Sequence, residues 1–171
     1  MSIRRDIPIP GDYRGSGSAE VGIFRPGTGL WAVRGLTRLY YGTGEDIPVP
    51  GDYTGDGSVE FGIFRGRTGL WALRGLTRFY FGAAGDRPLP GDYAGGGGWG
   101  AAVFRPASGL WAVRGLTRVY FGSFADRPVP GDFRGDGTDR IAVFRGRSGL
   151  WAIRGATRVY FGGPSDIPAT R

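Results

Sequence analysis

The chain has no cysteine and no histidine, and its 22 basic residues are all arginine, with no lysine. Without cysteine there is no disulfide and no thiolate metal site, so the chain carries no mark of its redox compartment. Without histidine the commonest general base and transition-metal ligand is missing. Without lysine there is no Schiff-base chemistry and no Walker-type phosphate lysine. No run of about 18 apolar residues occurs, so no helix is expected to cross a membrane. The opening Met1-Ser2-Ile3-Arg4-Arg5-Asp6 lacks an apolar segment and does not read as a signal peptide. Export would then require a signal already removed or held in a longer parent chain.

What the chain has in excess is glycine, 35 of 171 residues, beside 12 prolines and 14% aromatics. Disorder goes with few aromatics, so this composition points to tight turns between short, packed strands. The formal charge of +7 favours acidic partners.

A strict period of 40 organises the chain. Asp6, Asp46, Asp86, Asp126 and Asp166 follow it, as do Phe24, Phe64, Phe104 and Phe144, and Trp31, Trp71, Trp111 and Trp151. The repeat units are 6–45, 46–85, 86–125 and 126–165, with 166–171 as a partial fifth inside one repeat domain, 1–171. In the second unit, Asp46 to Pro50 reads as a short edge piece because of its prolines. Val59 to Arg65 is apolar on both parities and reads as a strand covered on both faces. Gly66-Arg67-Thr68-Gly69 is a four-residue turn before the strand Leu70 to Arg74. Gly75-Leu76 fits a two-residue type II′ hairpin leading into Thr77 to Phe81.

Four such strands cannot bury two apolar faces alone, so each unit must stack on a similar neighbour. The expected fold is therefore all-β: a β-propeller of four 40-residue, four-stranded repeats. The terminal Asp166-Ile167-Pro168 repeats Asp6-Ile7-Pro8, as is expected where the two ends meet in a single four-bladed ring and also in a truncated longer array. The alternative is a larger ring shared between chains, a homo-oligomer.

The loop Gly51 to Glu60 places oxygens at alternate positions: Asp52, Thr54, Asp56, the Ser58 carbonyl and Glu60. Such a set suits calcium, which takes six to eight hard oxygens. The motif Val49-Pro50-Gly51-Asp52-Tyr53, with Asp56-Gly57 and Phe64-Arg65, resembles the FG-GAP or VCBS-type repeats of bacterial surface proteins and, in longer form, of integrin α-subunit propellers. That resemblance covers nearly the whole chain. It implies a β-propeller whose loops often hold calcium, and an extracellular or cell-surface setting.

The other loops depart from the pattern. Arg14, Ala94 and Arg134 replace Thr54; Ser16, Gly96 and Asp136 stand at the Asp56 position; Gly100 and Arg140 replace Glu60 in the third and fourth units. Arg14 is expected to pair with Asp12, and Arg134 with Asp132 and Asp136. A glycine-rich turn with an aspartate capping backbone donors accounts for all four loops.

Trp31, Trp71, Trp111 and Trp151, with Arg34, Arg74, Arg114 and Arg154, form a candidate carbohydrate site in each unit; packing between sheets is the competing role. Arg38, Arg78, Arg118 and Arg158 precede Tyr40, Tyr80, Tyr120 and Tyr160. This set suits sulfated glycans or single-stranded nucleic acid, or else an outer edge protected by charge. Nucleic acid is the less favoured partner. Gly95 to Gly100 lacks the lysine and helix of a phosphate loop. No unique catalytic constellation is present, so a non-catalytic binding or scaffolding module is expected. Its partner is a carbohydrate, a protein or a polyanion.

Overall fold

The structure, a computed structural model, describes residues 5–168. Residues 1–4 and 169–171, which include most of the leader stretch and half of the partial fifth unit, lie outside the described residues. Sixteen strands form four antiparallel sheets of four, each in sequential order, with no helix among the described residues. The first sheet comprises β1 (Ile7–Pro8), β2 (Gly22–Arg25), β3 (Leu30–Val33) and β4 (Thr37–Tyr40). The second comprises β5 (Asp46–Pro48), β6 (Gly62–Arg65), β7 (Leu70–Leu73) and β8 (Thr77–Tyr80). The third comprises β9 (Arg87–Pro88), β10 (Ala102–Arg105), β11 (Leu110–Val113) and β12 (Thr117–Tyr120). The fourth comprises β13 (Arg127–Pro128), β14 (Ala142–Arg145), β15 (Leu150–Ile153) and β16 (Thr157–Tyr160). The chain divides into two compact units, Met1–Ala84 and Gly85–Arg171, each holding two sheets.

Strand register explains the two faces of each sheet. In the second, Ile47, Phe64, Trp71 and Phe79 stand in one row, and Asp46, Arg65, Leu70 and Tyr80 in the next. Neighbouring residues on a strand point to opposite sides, so one face carries the large aromatics. The other face carries Ile63 and Ala72 with the Asp46–Arg65 row.

This register corrects the expected hairpin. Leu73 lies opposite Thr77, so the loop has three residues, Arg74-Gly75-Leu76. Leu76 N–H donates to the Leu73 carbonyl at 3.1 Å, and Gly75, with φ +79°, takes the second central position of the turn. That is the type II pattern, in which the second central residue has positive φ. A two-residue loop would have set Trp71 opposite Tyr80. The extra residue puts Phe79 there and leaves Tyr80 in solvent, since a slip of one residue exchanges the faces. The expected strand from Val59 is also shorter than the sequence implies. Glu60 makes only an isolated bridge to Gly51, while Val59 N–H turns to the Asp12 carbonyl of the preceding repeat at 2.8 Å.

Within the first unit, the aromatic face of sheet one packs on the aliphatic face of sheet two. Ile9, Phe24 and Trp31 form one buried cluster with Ile63 and Ala72. Phe61 stacks on Tyr13 at 5.1 Å and meets the edge of Trp31 at 5.3 Å. The second unit repeats the arrangement: Phe104, Trp111 and Val113 cluster with Ile141, Val143 and Ala152. Asp139 N–H donates to the Asp92 carbonyl at 2.7 Å, as Val59 does to Asp12 in the first unit.

An ion pair with a buried aspartate fixes the start of the second, third and fourth sheets. Asp46 receives Arg65 through both Nε (2.7 Å) and Nη2 (2.9 Å), and the same fork joins Asp86 to Arg105 and Asp126 to Arg145. The Asp46 carboxylate also accepts from the N–H and hydroxyl of Thr43, and Asp126 from those of Ser123, so the exit loop of the preceding repeat is held by the same group. Burial would raise the pKa of Asp46 and Asp126, but the arginine fork and the loop donors outweigh it and hold both below the usual carboxylate range.

Carboxylates with lowered folded-state pKa stabilise the fold at pH values above the ordinary carboxylate range, and that contribution disappears as the pH falls through the folded values. Thermal melts are therefore expected to be flat near neutrality and to fall steeply below about pH 4. Asp126→Asn is expected to cost roughly 2 kcal/mol at pH 7, between exposed and buried pairs because Arg145 is part-exposed. It should also reduce the acid dependence. At Gly69, φ is +70° and an added Cβ would lie 2.5 Å from the Gly82 carbonyl oxygen; at Gly75, φ is +79° in open space. Gly69→Ala should therefore destabilise the protein more than Gly75→Ala, which carries only the left-handed strain of about 1 to 2 kcal/mol. Denaturant midpoints of the two variants check the order.

Candidate functional site

The acidic loops are built from one aspartate facing inward. Asp52 accepts from Gly55 N–H (2.6 Å), Asp56 N–H (3.1 Å) and Gly57 N–H (2.8 Å). Asp92 accepts from Gly95, Gly96 and Gly97, and Asp132 from Arg134, Gly135, Asp136 and Gly137. Asp12 binds Arg14, Ser16 and Gly17 N–H groups. Backbone donors, first among them Ser16 N–H for Asp12 and Gly137 N–H for Asp132, hold these carboxylates below the usual range. The loop is a self-satisfied turn in all four repeats, including the third, which keeps no other acidic side chain of the pattern.

Among the described residues, the second repeat alone keeps a cluster. Carboxylate oxygens of Asp52, Asp56 and Glu60 all lie within 4.8 Å of one another. Thr54 Oγ1 sits 3.2 Å from Glu60 and 3.4 Å from Asp52. Glu60 accepts from Tyr53 N–H at 2.7 Å, and Asp56 from the hydroxyl and N–H of Ser58. The Ser58 hydroxyl is the leading cause of the lowered Asp56 pKa.

The expected arginine pairings in the other loops are replaced. The Arg14 guanidinium binds Glu20 at 3.2 Å and the Gly35 carbonyl at 2.7 Å, and from Arg14 the Asp12 carboxylate takes only the backbone N–H. Arg134 reaches the Gly155 carbonyl at 2.7 Å, while Asp136 pairs with Arg140. Asp12 and Asp132 are saturated by amides on the inside of their turns, so the guanidinium groups swing to the neighbouring hairpin turn. Tyr53 and Tyr93 are equally internal. Each hydroxyl donates to a carbonyl four residues back, Val49 or Leu89, and burial raises both pKa values well above that of free tyrosine.

The tryptophan and arginine halves of the expected sugar site are placed differently. Trp31, Trp71 and Trp111 have no exposed surface, and Trp151 is half-buried. Each indole N–H donates to a carbonyl ten residues on, Tyr41, Phe81, Phe121 or Phe161, at 3.0 to 3.1 Å. Phe24, Phe64, Phe104 and Phe144 lie against them at 5.0 to 5.3 Å. The three closed indoles offer no face to a pyranose. Arg34, Arg74, Arg114 and Arg154 are exposed, three positions beyond the tryptophans at the hairpin turn.

Those turns do border grooves between neighbouring sheets. In the first unit a groove of about 400 Å³ is lined by Tyr41 of the first repeat and by Arg74, Leu76 and Arg78 of the second. In the second unit a groove of about 290 Å³ is lined by Tyr93, Leu116 and Thr117 of the third repeat with Arg140 and Arg154 of the fourth. Tyr40, Tyr80, Tyr120 and Tyr160 are among the most exposed large side chains, on the outer strands beside Arg38, Arg78, Arg118 and Arg158.

Sequence reasoning missed the Asp–Arg fork. Both partners recur with the period, and the constant spacing of 19 residues was the available signal. No helix among the described residues is long and apolar enough to cross a membrane. Comparison with protein-family models, curated proteins and solved structures gave no match.

Proposed function

We propose that the chain is a non-catalytic binding module of β-propeller type, similar in design to FG-GAP or VCBS-type repeats, that takes an acidic glycan in the grooves between successive sheets. The carrying observation is the groove of the first unit, which Arg74 and Arg78 line together with the exposed Leu76 and with Tyr41. Among the described residues, neither arginine has an ion-pair partner. Two guanidinium forks suit carboxylate or sulfate groups, and an aromatic ring beside them suits the apolar face of a sugar. The ligand thus meets arginine and Tyr41, while the tryptophans keep a packing role.

Isothermal titration with a sulfated or uronic-acid oligosaccharide should show binding that weakens steadily with added salt. Arg74→Ala and Arg78→Ala should each reduce the affinity about tenfold, the loss of one charge-assisted contact, without moving the melting temperature. Affinity for a neutral oligosaccharide equal to that for the acidic one would reject the reading.

The carboxylate cluster of the second repeat favours an additional, structural role for calcium at that loop alone. Asp52, Asp56 and Glu60 would hold the ion, with Thr54 and the Ser58 carbonyl completing the oxygen set. Calcium at a hundredfold excess over Kd should raise stability by about 2.7 kcal/mol. Asp56→Asn should abolish the thermal shift, and the matching Asp136→Asn in the fourth repeat should leave it intact.

A further inference from the structure

Each compact unit contains one sheet-to-sheet interface of the same kind, and each of the two faces that build it occurs once more, exposed. The aliphatic face is buried at Ile63 (2%) and Val143 (4%), but its counterpart Ile23 in the first sheet is only part-buried. Val21, at the position where Phe61 covers Tyr13 and Trp31, is 67% exposed. The aromatic face shows the converse. Trp151 is the one tryptophan of its position that retains exposed surface, Val159 is 47% exposed and Phe161 77%. Phe133, at the position of Tyr13 and Tyr93, is also exposed.

The structure therefore holds an exposed aliphatic face on the first sheet and an exposed aromatic face on the fourth. Inside each unit these two kinds of face already fit one another. We infer that copies of this chain associate head to tail, the fourth sheet's Trp151–Val159–Phe161 face receiving the Ile23–Val21 face of a second copy. The occupant is specified by the internal interfaces: Phe24 and Trp31 on Ile63 and Ala72 in the first unit, Phe104 and Trp111 on Val143 and Ala152 in the second. Such a contact joins two different patches, so it propagates from copy to copy and ends in a ring where the rotation closes. Residues at these positions are buried inside the units, so the same contact between copies removes comparable apolar area from water.

The test is solution mass of the full chain at tens of micromolar, with two single variants. Wild type should run as a closed oligomer of two or more copies. Ile23→Arg and Val159→Arg each replace a side chain with exposed surface, so both should keep the wild-type circular dichroism and run as monomers. Mixed together, they retain one intact contact between them and should form a one-to-one complex and nothing larger. A monomeric wild type overturns the inference. So does an oligomer indifferent to both variants, or one lost only with Val159→Arg, which would mark aromatic faces meeting each other. Should either variant fail to fold, cross-linking gives the same decision. The chain has no cysteine, so Val21→Cys with Phe133→Cys introduces the only thiols. A short bismaleimide should join separate chains in the double variant, and absence of joined chains overturns the inference.

Discussion

The fork between the leading aspartate and the arginine 19 residues later, with the aspartate buried in the last three repeats, is the constraint on which each repeat depends. It ties the first strand to the second, across a loop that carries no regular structure of its own. The same carboxylate takes the Thr43 or Ser123 donors of the preceding exit loop, so one group joins three segments. A buried carboxylate without its partner would be strongly unfavourable, which leaves the chain one way to enter the sheet. Asp6, whose side chain is part-exposed, makes the same fork with Arg25, so pairing does not require burial. Burial raises the cost of losing the pair.

The tryptophans show the same economy of use. An aromatic repeated with every unit is an attractive candidate for binding. Trp31 and Trp111 are closed between phenylalanine and the aliphatic face of the next sheet, and each N–H is committed to a backbone carbonyl. The exposed members of the repeated set are the arginines of the hairpin turns and the arginine and tyrosine of the outer strand. Those lie where a twisted four-stranded sheet must present an edge, and charge there also discourages unwanted strand pairing.

The acidic loop separates folding from ligand chemistry. Asp12, Asp52, Asp92 and Asp132 each cap a turn of backbone amides, and the third repeat does so with no further acidic side chain in its loop. A calcium site would be a second use of a turn that folding already requires, available only where Asp56 and Glu60 accompany Asp52. The arginines of the other loops bind neighbouring carbonyls because the inner carboxylates have no free lone pair directed at them.

The 40-residue period, the four short strands per unit, the glycine turns and the capping aspartates were legible in the amino-acid order, because each rests on local spacing. The hairpin register was not. Gly75 is compatible with a two-residue or a three-residue loop, and the choice fell to the packed face, which accepts Phe79 opposite Trp71 and leaves Tyr80 outside. The partners of Arg134 and Asp46 were equally hidden, since each lies about 20 residues away, and Arg14 turned to the nearby Glu20 because backbone amides had already used Asp12. Sequence alone determined the repeating unit and its turns, through periodicity and the conformational demands of glycine and proline. Tertiary structure decided which repeated residues are buried and which remain exposed, because that depends on the face a neighbouring sheet covers.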